Sequence, residues 1–201
     1  MTGSRERIAR AARELVDLHG LERCTMRAIG QRVGVSAAAI YRHFPHREAL
    51  LAEVLRGADE LFVSYLARGL RGRTPLERLA RTGDGYLAFA LDHPHLYEAL
   101  FVRRDPPTLP RFEDVAGGRG PGFQLLVDRV RDCMAGGALP RADPAEVALA
   151  LWALVHGLAT LCLSGRFGED RAAVERLFRR MGRRAVGLLG GAETSRRRGR
   201  S

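Results

Sequence analysis

The strongest constraint on this chain is the period of its apolar residues. They recur every three or four positions, the spacing that lines one face of an α-helix, and no run of four or more alternates as a half-buried strand would. The fold class this predicts is all-α. Ile8, Ala12, Leu15 and Leu18 mark a helix over residues 4–19, with Gly20 placed to turn the chain out of it in a left-handed conformation. Thr25 suits the cap of a short helix carrying Met26, Ile29 and Val33, which Gly34 closes. Ser36 then caps a third helix through Ala37 and Ile40 to about Phe44, where Pro45 stops it. Helical spacing resumes at His46 and holds to about Gly69, long enough to join two domains. Further helices are predicted over 76–91 behind Thr74 and Pro75, over 96–102, over 122–134, from Asp143 or Pro144 to about Gly165, and from Asp170 to about Leu189. Residues 103–121, rich in proline and glycine, read as a loop. The chain thus divides into a three-helix segment 1–48, a larger helical segment 49–190, and a basic tail 191–201 whose composition favours disorder.

Apolar residues make up 46% of the 201 and charged residues 28%, proportions of an ordinary globular protein. No uninterrupted apolar run reaches the roughly 18 residues of a bilayer span. Arg10, Arg13, Glu14 and Asp17 interrupt every stretch that could form the apolar part of a signal peptide. These features predict a cytoplasmic protein with no membrane partner. Cys24, Cys133 and Cys162 are odd in number and far apart, so three reduced thiols with structural roles are expected. The net charge of +10 is unevenly spread: +4 over residues 1–50, −2 over 51–170 and +8 over 171–201, all of the positive charge being arginine. Basic ends suit an anionic partner. Arg196, Arg197, Arg198 and Arg200 nevertheless read first as a solvated tail, with non-specific phosphate attraction as the alternative.

Two short helices joined by a glycine-containing turn, the second opening on a serine cap, are the parts of a helix-turn-helix, which presents its second helix to the major groove of DNA. Ile29, Val33, Val35 and Ile40 are expected to pack on Ile8, Leu15 and Leu18, leaving Ala37, Ala38 and Tyr41 outward. Three alanines allow close approach and can meet thymine methyls, but they give no hydrogen bonds to base edges, so base reading falls to Arg27 and Arg42. Thr25 and Ser36 would cap helices in any helical protein. Packing of His43 on Phe44 and of Tyr41 in the core are the structural alternatives to phosphate contact.

The run GLERCTMRAIGQRVGVSAAAIYRHFPHREALL, residues 20–51, resembles the DNA-binding domain of TetR-type bacterial regulators, with their capped second helix, Gly-Val-Ser turn and Tyr-x-His-Phe segment. The resemblance implies a double-stranded DNA operator as partner. Carried over by residue, it implies that Thr25, Tyr41 and His43 touch phosphates, and that Arg27, Ala37, Ala38, Ala39 and Arg42, behind the cap Ser36, face the bases. Arg47 stands where the family usually has a phosphate-binding lysine. That exchange keeps the charge, whereas the alanine run leaves the operator sequence open.

The stretch PAEVALALWALVHGLATLCLSG, residues 144–165, is apolar on nearly every face and reads as too short for a membrane span. A domain core can cover one side and an identical helix from a second subunit another, so a homodimer through the last two long helices is expected. With Trp152, His156 and Gly157, and with YLAFALDHPHLYEALF before it, this region resembles the C-terminal domain of a TetR subgroup marked by a Trp…His-Gly helix. The resemblance implies a pocket for a small-molecule effector, with Phe62, Tyr65, Tyr86, Phe89, Tyr97, Phe101, Phe123, Trp152 and His156 as candidates, core packing being the first reading for any single aromatic among them. His93 and His95 near Glu98 lack a convincing ligand set, so no metal or cofactor is expected. No Ser/His/Asp set, carboxylate pair or phosphate loop points to an enzyme. The sequence therefore predicts a homodimeric repressor that a small effector releases from DNA through the long fourth helix. The alternatives are a sequence-nonspecific nucleic-acid-binding protein and, with less support, a small-molecule enzyme.

Overall fold

The structure is a computed structural model that describes residues 3–102, 120–168 and 170–198, with side chains as far as Leu189. Among the described residues there are nine α-helices, two 3-10 turns and no strand. The helices are α1 (Ser4–His19), α2 (Met26–Val33), α3 (Ala37–Tyr41), α4 (Arg47–Ala67), α5 (Pro75–Asp92), α6 (Pro94–Phe101), α7 (Pro121–Ala135), α8 (Pro144–Leu163) and α9 (Arg171–Arg198). Of the stretch 103–121 predicted as a loop, all but Gly120 and Pro121 lies outside the described residues.

These helices fall into two compact units, one of residues 3–62 with 92–102, the other of 63–91 with 120–168 and 170–198. In the first, α1 packs on α2 and α6, and α3 packs on α2. Its interior holds Ile8, Ala12, Val16, Ile29, Ile40, Phe44, Leu50, Val54, Leu96 and Tyr97, all almost without exposure. Polar ties reinforce the packing. Arg13 donates to the Gly57 carbonyl at 3.0 Å, and His93 Nδ1 lies 2.9 Å from an Asp17 carboxylate oxygen. The second unit centres on Leu79, Phe123, Val127, Val130, Cys133, Leu139, Ala148 and Leu151, flanked by Trp152, Val186 and Leu189.

Several local choices follow from caps that the sequence announces. Thr74 Oγ1 accepts from the Glu77 amide at 3.1 Å, Asp143 Oδ1 from Ala145 at 2.8 Å, and Asp170 Oδ1 from Ala172 at 2.9 Å. Each supplies a partner for a helix N–H that has none inside the helix. His46 does the same for α4, its Nδ1 accepting from the Ala49 amide at 3.1 Å.

Other expectations change. Leu18 is 58% exposed, because the buried stripe of α1 runs through Ile8, Ala11, Ala12, Leu15 and Val16 and leaves Leu18 at its rim. Val33 and Val35 are only half-buried. Gly20 has a positive φ of 78° but an extended ψ of 169°, outside the left-handed helical region. Helix α3 ends at Tyr41 rather than Phe44: Arg42 and His43 form a turn in which the His43 amide takes a tighter i→i−3 bond to the Ile40 carbonyl at 2.9 Å, an acceptor it shares with the Phe44 amide. Helix α9 continues to Arg198, through residues that composition assigns to a disordered tail; no proline interrupts Ala192–Arg198, and glycine alone weakens a helix without ending it. At 20 residues and a mean hydropathy of 1.8, α8 is long and apolar enough to cross a membrane, contrary to the reading from run length alone. Four of its residues, Ala148, Leu151, Ala159 and Cys162, are buried in the single chain.

The turn between α2 and α3 needs glycine twice. Gly34 takes a left-handed conformation at φ 73° and ψ 34°. A Cβ on Gly30 would stand 2.6 Å from the Val35 carbonyl oxygen, and Val35 is itself tied to the Gly30 carbonyl at 2.9 Å. Gly30→Ala is therefore expected to lower the unfolding free energy by about 1–3 kcal/mol in urea titrations. Gly182→Ala, where a Cβ meets nothing within 4 Å in a helix, is expected to raise it by about 0.5–1 kcal/mol.

Candidate nucleic-acid interface and aromatic cluster

The first unit gathers all ten residues predicted to meet DNA at the N-terminus of α2, along α3, and at the start of α4. Thr25 Oγ1 accepts from the Ala28 amide and Ser36 Oγ from the Ala39 amide, each at 3.2 Å, so both hydroxyls are fixed as caps at the surface. Ile40 is fully buried, which turns the opposite side of α3 outward: Ala38 is exposed, Ala37 and Ala39 are half-buried, and Tyr41 is 49% exposed. Tyr41 is thus surface, not core. His43 is half-buried, and Arg27, Arg42 and Arg47 are exposed.

The three guanidiniums differ in what already holds them. Among the described residues neither Arg27 nor Arg42 forms an ion pair or a side-chain hydrogen bond. Arg47 donates to the Leu21 carbonyl at 3.0 Å, which anchors it across the unit but uses only one of its five N–H donors. Beside it the Cys24 thiol is buried and points to the Ala12 carbonyl at 3.6 Å. Burial pushes this thiol up to about 11 against the opposing pull of Arg47, so it is protonated and inert. Cys133 and Cys162 are likewise buried, free and raised by burial.

Arg5 is a contact that sequence reasoning missed. Its Nη1 donates to the His43 carbonyl at 2.6 Å and its guanidinium carbon sits 4.3 Å from the centre of the Phe44 ring. Its Nη2 is 3.9 Å from Glu53 Oε2. A hydrogen bond from Arg56, with the charges of Arg56 and Arg5, holds the Glu53 carboxyl below the ordinary carboxylate range despite partial burial. Arg5 thus clips the exit of α3 to α1 and α4. In SRER it looks like any solvated helix start, and no spacing rule would single it out. The Arg32–Glu14 pair at 2.8 Å joins α2 to α1, though its exposure limits it to a few tenths of a kcal/mol.

The nine aromatic and histidine candidates for an effector pocket separate between the units. Phe62, Tyr97 and Phe101 belong to the first, where Phe101 meets Phe62 edge-on at 5.1 Å and Tyr97 at 5.3 Å. The second holds Tyr65 against Phe89 at 5.7 Å and a chain from Phe123 to Trp152 at 5.6 Å and on to His156 at 6.5 Å. Tyr86 extends that chain, its hydroxyl 2.9 Å from His156 Nδ1. Burial holds the imidazole below its usual pKa, which favours the neutral ring near pH 7.

Two family descriptions match this chain. Bacterial regulatory proteins of the tetR family match residues 8–54, from within α1 into the first part of α4. The tetracyclin repressor-like C-terminal domain matches residues 79–185, more than half of the chain. The chain belongs to the TetR family. Among individual relatives of this TetR-family chain, the HTH-type transcriptional repressor KstR2 of Rhodococcus jostii is 35% identical over 104 residues, 50% of this chain and 49% of that protein. The chain thus spans about half the length of the relatives it matches in this way. A solved structure of a protein of unknown function from Rhodococcus sp. RHA1 has a TM-score of 0.79 at 24% identity, covering 94% of this chain and 97% of that one. The TetR family regulator PfmR from Thermus thermophilus has a TM-score of 0.63 at 21% identity over 92% and 97%. At these identities both show the shared fold.

The state of His156 sets a pH dependence. Its folded pKa lies below the ordinary 6.5, so below pH 6.5 the unfolded chain takes up a proton that the folded chain refuses, and stability falls with acidification until the folded pKa is reached. Glu53 and Glu77, both held low, contribute only below about their ordinary 4.5. Urea midpoints are expected to drop between pH 7.5 and 5.5, and His156→Gln to flatten that slope; an unchanged slope would remove His156 as its source.

Proposed function

We propose that this TetR-family protein is a homodimeric, effector-responsive transcription regulator that represses genes by binding an operator through α3. The observation that carries this is the outward face of α3, flanked by Arg27 and Arg42, two guanidiniums with no ion pair among the described residues. Paired guanidinium N–H groups match guanine O6 and N7, and alanines let the helix approach thymine methyls. Thr25, Tyr41, His43 and Arg47, with the cap Ser36, surround that face with groups suited to phosphates. The relative KstR2 is named a repressor, which supports repression over activation.

Dimerisation is supported by the apolar surface α8 and α9 leave open. Leu161 is exposed on α8 and Leu188 is 77% exposed on α9, and an apolar surface of this kind calls for a second copy of the same helices. Such pairing covers α8 in water, in keeping with a cytoplasmic regulator. The Trp152, His156 and Gly157 pattern supports the Trp…His-Gly subgroup. In this reading segment 1–48 contacts DNA and 49–190 binds effector and partner. Tyr86, Phe123, Trp152 and His156 then form the effector cluster with Tyr65 and Phe89, while Phe62, Tyr97 and Phe101 at the end of α4 and on α6 take part in relaying the signal. The two recognition helices of a dimer must lie about 34–36 Å apart to enter successive major grooves, so an effector that favours another spacing releases DNA.

Fluorescence anisotropy with the protein's own upstream region and a random duplex, over a range of salt, tests this. Discrete binding to the upstream fragment at moderate salt is expected, and equal affinity for both duplexes would instead favour a nonspecific phosphate binder. Arg27→Ala is expected to cost about 1–3 kcal/mol on the operator and little on random DNA, whereas Arg47→Ala weakens both alike and lowers the salt slope by about 1. If the two variants behave alike, this division of labour is wrong.

A further inference from the structure

Apart from the aromatic chain, the second unit has a groove of about 240 Å³ bordered by Arg68 just beyond α4, by Arg81 and Asp84 of α5, and by Glu175 and Arg179 of α9. Its three guanidiniums are not equivalent. Arg179 is neutralised by Asp84 at 3.0 Å and Glu175 at 3.4 Å, and Arg81 by Glu77 at 2.6 Å. Arg68 has no acid partner among the described residues; its guanidinium carbon sits over the Tyr65 ring, 3.7 Å from its centre.

The ring contact restrains the guanidinium from one side, while its N–H donors have no acceptor among the described residues. A guanidinium is the fork that a planar oxyanion engages with two parallel hydrogen bonds. The platform cannot shift easily, because a Cβ on Gly85 would stand 2.3 Å from the Tyr65 carbonyl oxygen, so α5 and the end of α4 are already in backbone contact. The lining itself carries three arginines against two acids, Asp84 and Glu175, and Glu77, which pairs Arg81, lies outside it, so Arg68 is the one guanidinium without a carboxylate. Leu87 and Ala88 add an apolar wall. On α9, Glu175 and Arg179 occupy the flank opposite Leu177, Met181 and Leu188, so a second copy packing on that apolar flank leaves the groove open.

We propose that this groove binds an organic monocarboxylate, its carboxylate on the edge of Arg68 and its apolar body against Leu87 and Ala88. The groove is lined by none of Phe123, Trp152, His156 and Tyr86, shares with the proposed effector cluster only Tyr65 beneath Arg68, and needs no DNA. Thermal unfolding of the full chain with benzoate, its neutral isostere benzamide, or inorganic phosphate, at constant ionic strength, tests it. Benzoate raises Tm with concentration, and benzamide and phosphate at equal concentration do not. Arg68→Gln weakens the apparent Kd for benzoate about tenfold or more. Arg68→Lys keeps the charge but not the fork and weakens it as well, which carries the comparison if Arg68→Gln does not fold. Equal responses to benzoate and benzamide, a phosphate response matching benzoate, equal responses of wild type and both Arg68 variants, or no response to benzoate each overturn the proposal.

Discussion

A helix of five residues cannot stand by itself. Closing the first helical turn costs more than a single hydrogen bond returns, and isolated helices below about 12 residues are marginal in water. Yet α3, Ala37–Tyr41, is the element on which the proposed function rests. Its order must therefore come from tertiary structure, and the first unit supplies it from several directions. Ile40 and Phe44 plug the interior, Ser36 caps the start, Gly30 lets the Val35 carbonyl approach, and Arg5 holds the exit through the His43 carbonyl. Because α3 contributes one buried side chain of its own, the α1–α2 pair acts as the frame and α3 as what it displays.

The second unit meets the opposite difficulty, an excess of apolar surface. Helix α8 has only four residues buried in the single chain although it is apolar nearly all round. An unpaired helix of that kind would expose apolar area whose removal from water is worth about 25 cal/mol per Å², which is the physical basis for expecting a second copy. Inside the unit, the polar ends of Tyr86 and His156 satisfy each other at 2.9 Å, so aromatic bulk is buried without stranding a donor. Burial keeps the histidine neutral, and it ties part of the unit's stability to pH.

Much of this was legible in the sequence because caps and turn glycines act locally. Thr25, Ser36, Thr74, Asp143 and Asp170 each bond an amide two or three residues on, and Gly34 sits where only a left-handed backbone closes α2. The family resemblance rested on the same short segment and so reached the right fold. What escaped depends on contacts between residues far apart in sequence. Arg5 reaches His43, and Arg47 reaches back to Leu21 before it meets any partner. Spacing cannot tell that Leu18 falls at the rim of its stripe while Val16 falls inside. Nor can it tell that nine aromatic and histidine positions, all at helical spacing, divide between two units. The length of α9 escaped for another reason: composition reports how little a segment can bury, not whether its backbone keeps its local hydrogen bonds.

The central claim is that α3 is held by the frame as one body with α1 and α2. Native-state hydrogen exchange of the His43 and Phe44 amides, both bonded to the Ile40 carbonyl, tests this most directly against amides in the middle of α1. If the frame holds α3, these two amides exchange with the same opening free energy as α1, and Arg5→Ala lowers theirs more than that of α1. Exchange at near-unprotected rates while α1 stays protected would contradict the account.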